Sequence, residues 1–203
     1  MSVGELTENL FDLSFTTSLV AFLPELVLCA TILALLLVRM VAAGWKNGAF
    51  YVTLTGSALA LYCALMFSVE KPFELFSCTL VPEGVTMPLE VFSGMLVHDS
   101  FSIYLRALLL LFVGLFAVFT QITGTPVSDT AGEFYVLILG AVLGMCLMVS
   151  ANHMLIVFLG FEMASVPSYA LAGFLKHRRA SGEAALKYAV FGAGAAGVML
   201  YGI

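Results

Sequence analysis

The chain has 203 residues, of which 62% are hydrophobic and 10% charged, and its formal net charge is −5. Soluble domains are about half apolar and about a quarter charged, so this composition excludes an ordinary soluble domain and indicates a polytopic membrane protein. The absence of any basic block in the sequence excludes nucleic acid as a partner and leaves the lipid bilayer.

Six apolar windows are each long enough to cross a bilayer, since about 20 helical residues span the hydrocarbon layer. They lie, in chain order, at Leu19–Val38, Phe50–Phe67, Ile103–Ile122, Phe134–Ala151, Met154–Leu175 and Ala184–Ile203. The predicted fold is therefore all-α, a bundle of about six transmembrane helices. The short turn at Asn152 and His153 predicts that the fourth and fifth spans form an antiparallel hairpin.

Basic residues orient these spans, because cytoplasmic loops are enriched in Lys and Arg. Six of the eight basic residues follow the first or the fifth span: Arg39, Lys46, Lys176, Arg178, Arg179 and Lys187. Both ends of the chain, including the N-terminus, are therefore predicted to lie outside the cytoplasm. The acidic first residues lack the basic region of a signal peptide, so the first apolar run is expected to remain as a helix.

The acidic loop at about 68–100 suits the outer side, and Leu89–Val97 within it predicts an extended segment in a short hairpin. Asp99 is a predicted N-cap for the third span. Arg106, two turns later, is a predicted partner of Asp99. In the first span Glu25 follows a proline and suits a helix start, and an earlier start would make it a partly buried acid.

No cofactor or redox centre is predicted in this chain. Its four cysteines contain no CxxC pair, and three of them lie in apolar runs as expected for small buried side chains: Cys29, Cys63 and Cys146, with Cys78 in a loop. The sequence contains no glycine-rich phosphate loop, catalytic triad pattern or haem or iron–sulfur ligand set.

Glu162 lies near the middle of the fifth span, where a carboxylate costs a few kcal/mol or more. Such acids usually face a protein interior or a water-filled path and carry protons or ions. Pro167 removes the hydrogen bond that the Met163 carbonyl would accept, and Ser165 adds a hydroxyl, so a hydrated pocket is predicted here. The alternative is a structural glutamate paired with a neighbouring helix.

Lys187 is the lysine nearest to Glu162 in depth, about one turn into the sixth span. Glu183 precedes it by four residues, the favoured order for a helix ion pair. An interfacial salt bridge and a role in proton uptake both remain open for Lys187. His153, in the outer turn, is either a proton-passing group or a hydrogen-bonded loop residue. The spacing of Gly140 and Gly144 predicts close helix packing.

The stretch Leu159–Gly173, followed by Ser181–Tyr188 and Leu200–Gly202, resembles subunit N of the proton-pumping NADH:quinone oxidoreductase, respiratory complex I. Leu23–Leu26 and Val97–Ser102 fit the same family. The resemblance implies an antiporter-like fold of two inverted five-helix repeats with broken helices. It implies a place in the bacterial cytoplasmic (inner) membrane beside other membrane-arm subunits, with quinone, NADH, FMN and iron–sulfur clusters bound elsewhere in the complex.

In that family Glu162 matches an essential membrane glutamate, Lys187 a lysine proposed for proton uptake, and Glu183 the acid before it. The expected lysine partner of Glu162 and the second repeat would lie past Ile203. Residues 1–122 are thus expected to form an N-terminal three-span segment and residues 123–203 the start of the first repeat. An end inside an apolar run favours a partial chain.

The predicted function is a membrane-arm subunit that couples quinone reduction to proton transfer through Glu162. A subunit of a multi-subunit sodium/proton antiporter is an alternative, because the same acid in the same helix would serve there. A structural assembly subunit is a second alternative, in which Glu162 would only pair with a neighbouring helix.

Overall fold

The computed structural model describes residues 18–41, 48–66, 89–124, 130–175 and 178–203. Six helices in these ranges are long and apolar enough to cross a membrane, which confirms the predicted six-span bundle. They are α1 Leu23–Val41, α2 Gly48–Met66, α3 Ser100–Thr123, α4 Ala131–Val149, α5 Met154–Ala172 and α6 Arg179–Gly202. The largest shift of a predicted boundary is at α6, which begins at Arg179 rather than Ala184.

The hydrophobic core lies among the first four helices. Each of them contributes fully buried side chains, among them Leu28 of α1, Ala60 of α2, Leu110 of α3 and Leu139 of α4. Helix α5 packs on α4 as an antiparallel hairpin, and α6 packs on α5. No residue of α6 is buried, so α6 lies at the edge of the bundle formed by the described residues and most of its surface is uncovered.

Glycines allow α4 and α5 to approach each other closely. A Cβ atom added at Gly144 would lie 2.6 Å from the Ala164 backbone nitrogen and 2.7 Å from the Gly160 carbonyl oxygen. Gly140, one turn earlier, faces the ring of Pro167. These contacts confirm the close packing predicted from the spacing of Gly140 and Gly144.

A β-hairpin covers one end of the bundle, as predicted. Strands β1 Leu89–Val91 and β2 Leu96–His98 pair antiparallel, with Leu89 opposite His98. The hairpin is fastened to the turn between α4 and α5, because Val97 N donates to the Ser150 carbonyl (2.8 Å) and Asn152 Nδ2 donates to that of Gly94 (2.9 Å).

Asp99 is the N-cap of α3, as predicted. Ser102 N donates to Asp99 Oδ1 (2.7 Å), and Asp99 N donates to Ser102 Oγ (3.1 Å). Cys29, Cys63 and Cys146 are free thiols, and of these three Cys146 is buried as predicted, whereas Cys29 and Cys63 are only half-buried. Cys78 lies outside the described residues, as do two of the lysines used for orientation, Lys46 and Lys176.

Candidate functional site

Glu162 lies near the middle of α5 and is partly buried. Its Oε1 atom is fully buried and has no hydrogen-bond partner among the described residues. Buried carboxylate oxygens are nearly always hydrogen-bonded, so this oxygen distinguishes Glu162 from the serine hydroxyls of α5, which have partners.

The polar neighbours of Glu162 on α5 are spread around the helix. Ser165 Oγ and Ser168 Oγ each donate to the carbonyl four residues earlier, those of Phe161 and Ala164, at 2.8 Å. Pro167 lies about 140° around the helix from Glu162 and packs against α4 at Gly140. The carbonyl that Pro167 leaves without its helix bond therefore lies nearer the α4 contact.

Tyr169 shares the face of Glu162, because it follows two helical turns later. Its ring lies edge-on to that of Tyr188 in α6, with centroids 4.7 Å apart. The same ring packs against Gly192, where no side chain occupies the space. This face of α5 is thus the one that contacts α6.

Two contacts fix the register between these antiparallel helices. Gly173 lies beside Ala185, and Tyr169 lies beside Gly192. The first contact brings Ala196 level with Glu162 and the second brings Met199, so Lys187, nine to twelve residues earlier in α6, lies about 14–18 Å nearer the inner end. Glu162 and Lys187 therefore do not touch, and a proton that passes between them needs intermediate groups.

Lys187 forms the predicted ion pair with Glu183, with Nζ and Oε1 2.6 Å apart. The two side chains are 65% and 64% exposed. Exposed pairs of this type contribute at most about 1 kcal/mol to stability. The pair is therefore free to open without unfolding α6.

His153 is the N-cap of α5. Leu155 N donates to His153 Nδ1 (3.2 Å), and the side chain is exposed at the outer turn. The side chain is therefore hydrogen-bonded, as one alternative predicted, and a role in passing protons stays a prediction.

A second buried acid lies in α1, where Glu25 forms an ion pair with Arg106 of α3. The Arg106 Nε and Glu25 Oε1 atoms are 3.0 Å apart, and the side chains are 4% and 0% exposed. The prediction that Arg106 pairs with Asp99 is wrong, because the guanidinium points across the bundle to α1. Glu25 is fully buried because helical residues 18–21 precede it.

His98 also contacts Arg106, so that Glu25, Arg106 and His98 form a cluster at the outer end of the bundle. The position of His98 in this cluster was not predicted. Arg106 Nη1 lies 3.2 Å from His98 Nδ1 and 3.5 Å from the Ala21 carbonyl oxygen. Because a guanidinium only donates, Nδ1 must accept, and the His98 ring is neutral with its proton on Nε2. The sequence signal for the Glu25–Arg106 pair was the presence of opposite charges in two apolar spans, and this signal did not include His98.

Within the five described ranges, no group of three or more His, Cys, Asp or Glu side chains is placed to hold a metal ion.

Comparison with known proteins gives consistent matches. Residues 151–203 match the family described as NADH:quinone oxidoreductase/Mrp antiporter, TM. The chain is 37% identical to F(420)H(2) dehydrogenase subunit N of Methanosarcina mazei, over 89% of this chain and 35% of that relative. It is 33% identical to NADH-quinone oxidoreductase subunit N 2 of Symbiobacterium thermophilum, over 92% of this chain and 35% of that relative.

A chain in the structure of respiratory complex I from Thermus thermophilus with bound aureothin is 31% identical, with a TM-score of 0.64. The match covers 88% of this chain and 35% of that chain. This chain thus spans about a third of the length of the curated relatives that it matches. The resemblance predicted from the sequence is confirmed over most of the chain.

Proposed function

We propose that this chain belongs to the subunit N family of membrane proteins and that Glu162 carries protons within the membrane arm of a proton-translocating NADH:quinone oxidoreductase. The single observation that supports this role is the buried Oε1 atom of Glu162, which has no hydrogen-bond partner among the described residues. A carboxylate with a permanent partner would have little freedom to take up and release a proton.

Lys187 is the proposed group for proton uptake at the inner end. It is exposed, and only a weak ion pair with Glu183 restrains it. The roughly 14–18 Å between the levels of Lys187 and Glu162 requires several transfers, since each proton transfer spans about 3 Å between heavy atoms or one bridging water.

Tyr169, Ser168 and Ser165 supply hydroxyls at the intermediate levels of α5. The two serines donate to carbonyls, and their oxygens retain lone pairs that accept a hydrogen bond from water. Pro167 leaves the Met163 carbonyl as a further acceptor, on the side of α5 that contacts α4. His153 caps the outer end of the same helix and is the proposed group nearest the opposite surface.

We place the start of the antiporter-like repeat at residues 123–203, after an N-terminal three-helix segment in residues 1–122. The family match at residues 151–203 supports this division, because it falls within the proposed repeat. The fully buried Glu25–Arg106 pair supports a structural role for the first segment.

The partners of the proposed complex are other membrane-arm subunits in the bacterial inner membrane, where this chain would act as a translocase subunit. NADH, FMN, iron–sulfur clusters and quinone would be bound by other parts of the complex. The two relatives are named after different electron donors, F(420)H(2) and NADH. This difference supports a role in the membrane step, which both complexes would share.

Glu162→Gln tests the proposal in the assembled complex. We expect blue-native gels to show a normal complex, while donor-driven proton uptake into vesicles falls about tenfold or more, because the amide cannot carry a proton. Glu90→Gln, a matched change of an exposed acid on β1, should leave proton uptake unchanged. Normal proton uptake by Glu162→Gln would refute the role.

A sodium/proton antiporter is the second candidate, because the matching family is described by both activities. Purification separates the two functions. A chain that is isolated with flavin and iron–sulfur subunits acts in the oxidoreductase, whereas a chain found only with other membrane subunits and moving Na⁺ acts in the antiporter. Loss of the whole complex in Glu162→Ala would instead favour the structural alternative.

A further inference from the structure

An open groove lies between the end of α1 and the start of α4, away from Glu162. Its volume is about 290 Å³, and its apolar walls are formed by Leu35, Leu36, Val136 and Leu137. These side chains extend about one turn from the helix ends into the hydrocarbon layer, so the groove opens at the level where lipid headgroups meet acyl chains.

An ion pair closes the inner end of this groove. Arg39 Nη2 lies 3.0 Å from Glu133 Oε1, and the side chains are 43% and 41% exposed. Arg39 lies in the last turn of α1 and Glu133 in the first turn of α4, where the helix dipoles favour a cation and an anion respectively. The groove therefore presents a positive and a negative group side by side.

Gly132 opens the space next to the guanidinium. A Cβ atom added there would lie 3.6 Å from Arg39 Nη1, an ordinary van der Waals distance. Arg39 contacts Glu133 through Nη2, and its side chain also lines the groove. The guanidinium can therefore bind a second anionic group without releasing Glu133.

We propose that this groove binds a phospholipid of the phosphatidylethanolamine type. The lipid phosphate accepts from Arg39, the headgroup ammonium donates to Glu133, and the first part of an acyl chain lies along Leu36 and Val136. Because the ion pair has no net charge, it complements a headgroup that carries both charges. A phosphatidylglycerol headgroup has no cation for Glu133, and a choline group has no N–H to donate.

Native mass spectrometry of the protein, purified in mild detergent with the subunits it retains, tests this site. The protein is titrated with phosphatidylethanolamine, phosphatidylglycerol and phosphatidylcholine of identical acyl chains. We expect one saturable site with about fivefold preference for phosphatidylethanolamine, since a half-exposed charge pair contributes about 1 kcal/mol.

Three variants separate the contributions. Gly132→Leu fills the groove without removing the ion pair and should abolish the saturable site. Arg39→Gln should weaken binding of all three lipids, whereas Glu133→Gln should remove the preference over both phosphatidylglycerol and phosphatidylcholine. Arg179→Gln, an exposed arginine at the start of α6, is the control and should bind as the parent protein does.

Equal binding of the three lipids by the parent protein would overturn the proposal. Unchanged phosphatidylethanolamine binding by Gly132→Leu would overturn it as well, because lipid would then bind elsewhere. Proton uptake is not part of this test, so its outcome does not depend on the role proposed for Glu162.

Discussion

Replacing Glu25 with methionine leaves the Arg106 guanidinium as an unpaired cation inside the bundle. The structure places this pair at 3.0 Å with side chains that are 0% and 4% exposed, so water cannot compensate for the lost carboxylate. Removing one partner of a buried ion pair costs about 3–5 kcal/mol. Arginine cannot escape this cost by losing its proton.

The double variant Glu25→Met/Arg106→Met separates the charge from the packing. Apolar replacement of both partners of a buried pair is often close to neutral. The His98 ring and the Ala21 carbonyl still lose a donor, so the free energy of unfolding is expected to fall by about 1–3 kcal/mol. The double variant should therefore be more stable than Glu25→Met alone, which is an unusual order for two substitutions.

Denaturant unfolding of the purified protein in detergent, followed by circular dichroism, measures these free energies. Arg39→Met is the matched control, because it breaks an ion pair of the same 3.0 Å length whose side chains are 43% and 41% exposed. It should cost at most about 1 kcal/mol. A Glu25→Met protein that unfolds like the Arg39→Met protein would refute the inference that the outer pair is desolvated.

Three further predictions concern packing, capping and proton transfer. Gly144→Ala should destabilise the protein by about 1–3 kcal/mol, since its Cβ would overlap Ala164, whereas Gly197→Ala, with no neighbour within 4 Å, should change the unfolding free energy little. If the Asp99 side chain caps α3, Asp99→Ala should lower the free energy of unfolding by about 1 kcal/mol and Asp99→Asn by less, which thermal unfolding measures. Tyr169→Phe should slow proton uptake into vesicles by up to about tenfold without affecting assembly, and an unchanged rate would exclude its hydroxyl from the path.

Local patterns predicted the parts of the fold whose partners are close in the chain. The Asp99 cap and the Glu183–Lys187 pair each connect residues three or four positions apart, and both are present. Arg106 was assigned to Asp99 by the same local reasoning, and that prediction is wrong. The partner of Arg106 is Glu25, which lies far away in the sequence and becomes a neighbour only when α1 and α3 pack.

The position of Glu162 within a membrane helix was predicted from the sequence, but its surroundings were not. The sequence identifies Glu162 as a membrane acid, because its position within the apolar run can be counted. It does not give the register of α5 against α6, which depends on the small residues that let Tyr169 reach Gly192. That register sets the distance in depth between Lys187 and Glu162, and with it the need for intermediate hydroxyls.

Burial alone does not identify the acid that we propose carries protons. Glu25 is fully buried and Glu162 only partly, so a ranking by exposure favours Glu25. A proton on Glu25 would neutralise the carboxylate and leave Arg106 as a buried cation without its counterion, and the guanidinium cannot release a proton in exchange. Glu162 has no fixed cation among the described residues, so its protonation leaves no charge stranded nearby. The partner, rather than the depth of burial, therefore distinguishes the acid that holds helices together from the acid that we propose carries protons.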